Sequence, residues 1–139
     1  RSRGLGDVYK RQAIVNSYYI GLLLSSDDEE QFKAGEAVGV FFPNQGEGES
    51  GAHINISGIG LTQHAKNKEN ALKLIEFLTG VEAQTTYSNT SFEYAVNPNA
   101  KHSDIVSSWG DFRRDTLDLN LLGVYRDKAI EIFDNSGWK

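Results

Sequence analysis

The stretch that decides the fold is Ala13-Ile14-Val15-Asn16-Ser17-Tyr18-Tyr19-Ile20-Gly21. A short apolar run ends here, and apolar residues at helical spacing begin at Ile20. The pattern predicts the end of a buried strand at 13–15, then a turn, and then a helix whose N-cap is Asn16 or Ser17. At the start of a helix both tyrosine side chains can lean toward one cleft, whereas in a strand they would face opposite sides.

Two adjacent phenols at such a turn suit the binding of a hard cation. A free tyrosine titrates near ~10, so a phenolate at neutral pH needs a cation that displaces the proton. Hard oxygen ligands suit a hard metal ion, and a helix N-terminus favours a phenolate or a bound anion. The residues alone leave a second interpretation open, in which one tyrosine packs in the core and the other is half exposed.

Strand and helix patterns alternate along the rest of the chain. Buried strands are predicted at residues 37–42, 52–62 and 92–96. Helices are predicted at residues 67–79, 81–89 and 119–133, and Gly80 ends the first of them. This alternation predicts an α/β fold.

Several charged or glycine-rich stretches favour structural interpretations. The acidic run 27–30 lacks the alternating register of a calcium loop, and it is predicted to start a solvated helix. The glycine-rich stretch 44–51 lacks the Lys-Ser/Thr end of a phosphate loop and is predicted to be a flexible connection. Arg113 and Arg114 are predicted to form surface ion pairs with neighbouring aspartates rather than an anion clamp.

Composition excludes several function classes. The formal charge of −5 argues against nucleic-acid or anionic-membrane partners, and the absence of cysteine excludes disulfides and thiolate metal sites. No segment approaches the ~18 apolar residues of a membrane span, so direct membrane insertion is not expected, and no signal peptide is recognised. Residues 1–12 resemble translated adapter sequence at the ends of environmental assemblies, and they are predicted to be non-native.

Enzyme motifs fail at residues 53–64. Asn55 stands where a nucleophile elbow around Ser57 needs glycine, and Gln63 stands where a dinucleotide loop needs glycine. His53 and His64 lack the spacing of a zinc site. A hydrolase that uses Ser57 with His53 is therefore disfavoured, and no catalytic residue is expected.

From residue 13 onward the chain resembles the C-terminal part of ferric-iron-binding periplasmic proteins, the solute receptors of iron ABC transporters. The resemblance is carried, in this order, by Asn16-Ser17-Tyr18-Tyr19-Ile20-Gly21, Val40-Phe41-Phe42-Pro43, Gly51-Ala52-His53-Ile54-Asn55-Ile56-Ser57-Gly58, Asn67-Lys68-Glu69-Asn70-Ala71, Glu82-Ala83-Gln84 with Tyr87, Glu93-Tyr94-Ala95-Val96-Asn97-Pro98, and Gly137-Trp138-Lys139.

The resemblance implies an incomplete two-lobed type II periplasmic-binding-protein fold. Residues 13–50 would belong to the C-terminal lobe, residues 51–97 to the N-terminal lobe with hinge crossings, and residues 98–139 to the C-terminal lobe again. In that family the adjacent tyrosines ligate Fe(III), so Tyr18 and Tyr19 inherit this role. Asn16 matches, more weakly, an asparagine that contacts a synergistic anion.

The resemblance also implies the biological setting. The protein would capture Fe(III) in an interlobe cleft, in the periplasm, and deliver it to an inner-membrane permease, and the complete protein would be a monomer. The alternative is a receptor of the same fold for an organic solute or an oxyanion. His53, near the expected hinge, can face the cleft, although a structural hydrogen bond is favoured there.

Overall fold

The computed structural model describes residues 12–137, and helices make up its regular structure. The described part of the chain forms seven helices: α1 Tyr18–Leu24, α2 Glu29–Glu36, α3 Lys68–Thr79, α4 Val81–Thr90, α5 Asp104–Ser108, α6 Asn120–Val124 and α7 Arg126–Asn135. The contacts divide this part into two compact units, residues 12–41 with 55–111 and residues 42–54 with 112–137. The predicted lobe boundaries stay a prediction.

The first unit contains α1 to α5. Helix α1 packs on α2, where the backbone of Gly35 comes close to Leu23 and Leu24. The side chains of Ile20, Phe92 and Val106 are buried, and α1 also contacts α5. The core of this unit therefore lies directly behind the helix that begins with the two tyrosines.

Two buried serines connect α4 to α5. The Ser88 hydroxyl accepts a hydrogen bond from the Ser103 amide at 3.0 Å. The Ser103 hydroxyl in turn accepts one from the Val106 amide at 3.2 Å and so caps α5. Because both hydroxyls are engaged, their burial leaves no polar group without a hydrogen bond.

The second unit is built around a loop that closes on residues 112–115. The Phe42 and Phe112 rings stack with centroids 4.0 Å apart. A single parallel bridge joins Ala52 to Arg114, the one β pairing in the part of the chain that the structure describes. Gly51 adopts φ 90°, and a side chain there would collide with the Arg113 and Arg114 backbone, so the loop needs glycine at this point.

Arg113 binds the glycine-rich loop 44–51. This contact corrects two predictions. Its guanidinium donates hydrogen bonds to the backbone carbonyls of Asn44, Gly46 and Glu49 at 3.2, 2.8 and 2.8 Å. The predicted ion pairs of this arginine with neighbouring aspartates are therefore wrong. The stretch 44–51, predicted to be a flexible connection, is tied down because backbone carbonyls of the turn converge on one cation.

The predicted helices are largely confirmed. Helices α3 and α4 lie within one residue of their predicted bounds, with Gly80 between them. The acidic run starts α2, whose N-cap Asp28 accepts hydrogen bonds from the Glu30 and Gln31 amides at 2.9 and 3.0 Å. The single helix predicted at 119–133 is instead two helices, broken at Tyr125. Gly123 in the predicted interior weakens a continuous helix there by about 1 kcal/mol.

The predicted strands are not formed among residues 12–137. Residues 13–15 are exposed ahead of α1, and the segments 37–42, 52–62 and 92–96 have no ladder. A strand persists only when a neighbouring strand pairs with its N–H and C=O groups. Apolar periodicity identified segments that suit a sheet, but it did not identify their partners.

Large apolar side chains remain exposed on several helices. Leu72, Leu74 and Phe77 of α3, and Ile132 of α7, are about half exposed. These helices carry an apolar face of the kind that normally packs against another layer. In the described region, no helix combines the length and the apolar character that crossing a bilayer requires.

Candidate functional site

The Tyr18 and Tyr19 side chains lie together at the start of α1. Their ring centroids are 4.4 Å apart with an interplanar angle of 38°. Tyr18 is half-buried, whereas Tyr19 is 51% exposed, and the next residue, Ile20, anchors the turn in the core. The local structure thus brings two phenol groups onto one accessible surface.

Backbone hydrogen bonds fix the turn that carries these rings. The Tyr19 amide donates to the Asn16 carbonyl at 3.2 Å, and the Ile20 amide donates to the Ser17 carbonyl at 3.0 Å. Ser17 is the N-cap, as predicted, although its side chain makes no capping hydrogen bond. Ser17 itself adopts helical φ and ψ, which lets backbone carbonyls replace the side-chain cap.

The neighbouring phenol changes the ionisation of Tyr19. The hydrogen bond with Tyr18 raises the pKa of Tyr19 above its ordinary value of 10.0, and the charge of Tyr18 and slight burial act in the same direction. Tyr19 is therefore neutral at pH 7. A cation that binds its oxygen has to displace the proton.

His53, the other side chain predicted near the cleft, has a protein partner. The His53 Nδ1 lies 2.9 Å from the Asp115 carboxylate, with the side chain of His53 52% exposed and that of Asp115 15% exposed. Both residues belong to the second unit, whereas Asn16 and the tyrosine pair belong to the first. This hydrogen bond matches the structural role favoured for His53.

Ser57 has no arrangement typical of a nucleophile. Its hydroxyl donates to the Glu93 carboxylate at 3.0 Å, while His53 pairs with Asp115. A serine nucleophile needs a base that accepts its proton and a third group that orients the base. Ser57 and His53 have separate partners, so this chain's residues do not assemble that relay around them.

His, Cys, Asp and Glu residues do not gather into a metal site in the described region. Among residues 12–137, no three of these side chains come together where they could hold an ion. The phenol oxygens at the start of α1 are donors of a different type.

Sequence analysis missed Phe92, which supports the tyrosine helix. Phe92 is 6% exposed, has φ 54° and packs on Gly21 of α1. Its apolar neighbours suggested a strand, and residue type carries no signal for a left-handed conformation at phenylalanine. Only the glycine at position 21, inside a helix pattern, hinted that another group comes close there.

The sequence profile of the bacterial extracellular solute-binding protein family matches residues 9–114. The chain belongs to this family of solute-binding proteins. The match begins inside the segment 1–12 that we set aside, and residues 1–11 lie outside the described part of the chain. The non-native origin of that segment stays a prediction.

Individual proteins and solved structures are also similar to this chain. The chain is 43% identical to iron uptake protein A1 of Synechocystis over 126 residues, which cover 91% of this chain and 34% of the relative. It resembles the structure of Trichodesmium IdiA (FutA) in complex with iron and citrate ligands, with TM-score 0.83, 37% identity, and coverage of 90% of this chain and 39% of that one. A shorter match, 38% identical over 74 residues, covers 53% of this chain and 22% of a Salmonella typhimurium protein named as a putative 2-aminoethylphosphonate-binding periplasmic protein.

These likenesses confirm the fold expected from the resemblance. The chain is an incomplete type II periplasmic-binding-protein fold, and it spans about a third of the length of the curated relatives that it matches. The segments 37–42, 52–62 and 92–96 did not form strands. Strands that would pair with them can correspond to a part of the relatives that this chain does not match. The relatives are named as uptake or binding proteins, not as enzymes.

Proposed function

We propose that the receptor of which this chain forms a part captures Fe(III) through the phenolate oxygens of Tyr18 and Tyr19. The observation that carries the proposal is the pair of phenol rings, 4.4 Å apart, at an accessible helix start. Two phenolates supply hard, negatively charged oxygen donors, which a trivalent ion prefers. The names of the relatives, iron uptake protein and an iron complex, support iron as the solute.

Iron capture by these residues is an exchange of protons for a cation. Tyr19 is protonated at pH 7, far below its raised pKa, and iron releases that proton when the oxygen becomes a ligand. The oxygens of both phenols then bind the same ion. The charge of the ion offsets the repulsion between two adjacent phenolates, which water alone would not do.

An anion completes the proposed site. Asn16 is exposed, and its backbone carbonyl already accepts the Tyr19 amide, which fixes it two residues before the pair. The side-chain amide of Asn16 has two N–H donors that suit a carboxylate or another oxyanion. The citrate in the Trichodesmium complex supports a carboxylate as the synergistic anion.

Delivery requires the rest of the receptor. We infer that the protein works in the periplasm as a monomer, closes its lobes on iron by a hinge, and docks on the permease of an ABC importer. A ligand that touches both lobes favours the closed form, because its differential affinity shifts the equilibrium. Further iron ligands would come from the part of the receptor outside this chain, so residues 13–139 alone bind iron weakly.

A spectroscopic titration tests this function. In a full-length receptor, called here the grafted receptor, the 126 matched residues replace the corresponding segment of Synechocystis iron uptake protein A1. Fe(III), supplied as a citrate chelate, is expected to produce a visible phenolate-to-iron charge-transfer band. Tyr18→Phe and Tyr19→Phe should each weaken the band and lower the affinity by about 10- to 100-fold.

Tyr87→Phe is the matched control, since it removes an exposed phenol from α4 in the same unit. It should leave the band unchanged. A grafted receptor that stays colourless with Fe(III), or a Tyr87 variant as damaging as the other two, would contradict the proposal. Submicromolar ferric affinity in residues 13–139 alone would contradict the need for outside ligands.

The second candidate function is a receptor for an organic solute or an oxyanion. The raised pKa of Tyr19 favours it, because a neutral phenol donates hydrogen bonds to phosphonate or carboxylate oxygens. The partial match to a putative 2-aminoethylphosphonate-binding protein supports the same class of solute. Calorimetry with 2-aminoethylphosphonate and with citrate, without iron, distinguishes the two functions, since tight colourless binding would favour this second one.

A further inference from the structure

Phe92 adopts a backbone conformation that is uncommon for its residue type. It follows Ser91, the C-cap of α4, and has φ 54° in the left-handed region. That position at the end of a helix is usually glycine, because a side chain crowds the backbone there. Phe92 carries this steric strain, and its side chain is buried, only 6% exposed. The side chain must therefore make a stabilising contact that glycine would not make.

The side chain of Phe92 fills a notch in α1 made by Gly21. A methyl group added at Gly21 would overlap the Cβ and Cγ atoms of Phe92 and lie 2.7 Å from its Cδ2. Because the backbone fixes the Phe92 Cβ, rotation about χ1 moves Cγ and Cδ2 but cannot relieve the overlap with Cβ. The two residues therefore set the closest approach between α1 and the segment after α4.

The segment that carries Phe92 is held from behind. The Ser91 amide donates to the Tyr87 carbonyl at 2.8 Å, which keeps the end of α4 closed. Beyond Phe92, the Val96 amide donates to the Gln84 side chain at 2.9 Å, and Gln84 itself donates to the Leu78 carbonyl at 2.8 Å. Phe92 thus meets α1 from a fixed support.

The contact lies one helical turn from the phenols. Gly21 is three residues after Tyr18, and residues three apart lie on neighbouring positions of one helix face. A shift of α1 at Gly21 would therefore move the start of the helix, where both rings are attached. Strained backbone conformations of this kind persist where the surrounding structure holds them, and they cluster at functional sites.

From this geometry we propose that Phe92, seated on Gly21, is a positioning residue that sets the relative placement of the Tyr18 and Tyr19 oxygens. The proposal rests on the proposed iron site but concerns a different residue, one that touches neither iron nor anion. Supporting residues around metal ligands commonly change metal affinity by about 10- to 100-fold when they are replaced. Phe92 is expected to act in this range.

The test compares four variants of the grafted receptor. Gly21→Ala should weaken Fe(III) binding by about 10- to 100-fold and shift the charge-transfer band, because it forces α1 away from Phe92. Phe92→Gly should also weaken binding, although glycine relieves the backbone. Phe92→Leu keeps Cβ and Cγ in the notch and should retain most of the affinity, while the Gly21→Ala, Phe92→Gly double variant should bind better than Gly21→Ala alone.

An iron-free measurement separates this proposal from the proposed function. Ring-to-ring nuclear Overhauser effects between Tyr18 and Tyr19 report their separation, and they should weaken in Gly21→Ala and Phe92→Gly but persist in Phe92→Leu. Circular dichroism checks that each variant retains its helices. If the parent receptor is colourless with iron, the proposed function fails and the Overhauser data alone decide the positioning role.

The positioning role is overturned if Phe92→Gly retains helicity together with the parent affinity, band position and ring contacts. It is also overturned if the double variant is as weak as the sum of the single variants predicts, since independent sites add. Equal loss in Phe92→Leu and Phe92→Gly would reduce Phe92 to a general core residue.

Discussion

The tyrosine turn and the Arg113 loop use polar groups in opposite ways. At the turn, the Tyr18 and Tyr19 rings lie 4.4 Å apart, and Tyr19 is exposed. At the loop, the Arg113 guanidinium is engaged by three backbone carbonyls, and His53 is paired with Asp115. The tyrosine turn leaves the Tyr19 phenol exposed to solvent. The Arg113 loop uses its polar groups for hydrogen bonds within its own backbone.

This difference separates binding from stability. A group whose partners belong to the protein leaves them unsatisfied when it is removed, which costs folding free energy. An exposed phenol such as that of Tyr19 is solvated, so it can exchange water for a ligand with little effect on folding. Substitutions at the turn should therefore change affinity, and substitutions at the loop should change stability.

The largest effect that would sharpen the comparison is the pH dependence of iron binding. Tyr19 is protonated at pH 7, far below its raised pKa, so binding through its oxygen must release a proton, and a second phenol ligand would release a second one. Affinity should rise about tenfold per pH unit for each proton released, so it falls by about 10- to 100-fold from pH 7 to pH 6. Competition titrations against a chelator of known proton stoichiometry measure the slope, and a flat profile would exclude neutral phenols as the ligands.

Arg113→Ala gives the next effect, on stability. Losing the charged donor to three carbonyls should lower the free energy of unfolding by about 2 kcal/mol and increase amide exchange in residues 44–51. Arg114→Ala is the control, because its side chain is exposed, and it should cost under about 0.5 kcal/mol. Urea unfolding of the grafted receptor measures both. Similar losses in the two variants would remove the assigned role of Arg113.

His53→Ala gives the smallest effect and could break the comparison. Its hydrogen bond with Asp115 is half exposed, so the loss of unfolding free energy should be about 1 kcal/mol or less, and iron affinity should be unchanged. An iron titration measures the affinity, and thermal unfolding measures the change in stability. Weaker iron binding at unchanged stability would assign His53 to the cleft and leave the structural interpretation wrong.

Local patterns in the sequence predicted local structure well. Helices α3 and α4, and the start of α2 in the acidic run 27–30, follow from apolar spacing and local charge within a few residues. The pairing of the tyrosine rings likewise follows from a turn that residues 16–20 determine among themselves. The assignment of the pair to iron came from resemblance, since phenols at a turn also fit a simple packing role.

Features that depend on distant partners were not predictable. Strands at 37–42 and 52–62 require neighbours that the sequence pattern does not specify. The carbonyls that bind Arg113 belong to residues more than sixty positions away, so nearby aspartates gave the wrong partners. Phe92 adopts a left-handed backbone conformation, and its packing on Gly21 stabilises that conformation.

The contact between Gly21 and Phe92 also has a consequence for the order of folding. These residues are roughly seventy positions apart, so their encounter requires the closure of a long loop, which costs entropy and is slow compared with the formation of the adjacent helices α3 and α4. We expect the α3–α4 hairpin to form first and α1 to dock on it late. The tyrosine turn would then gain its support from Phe92 near the end of folding.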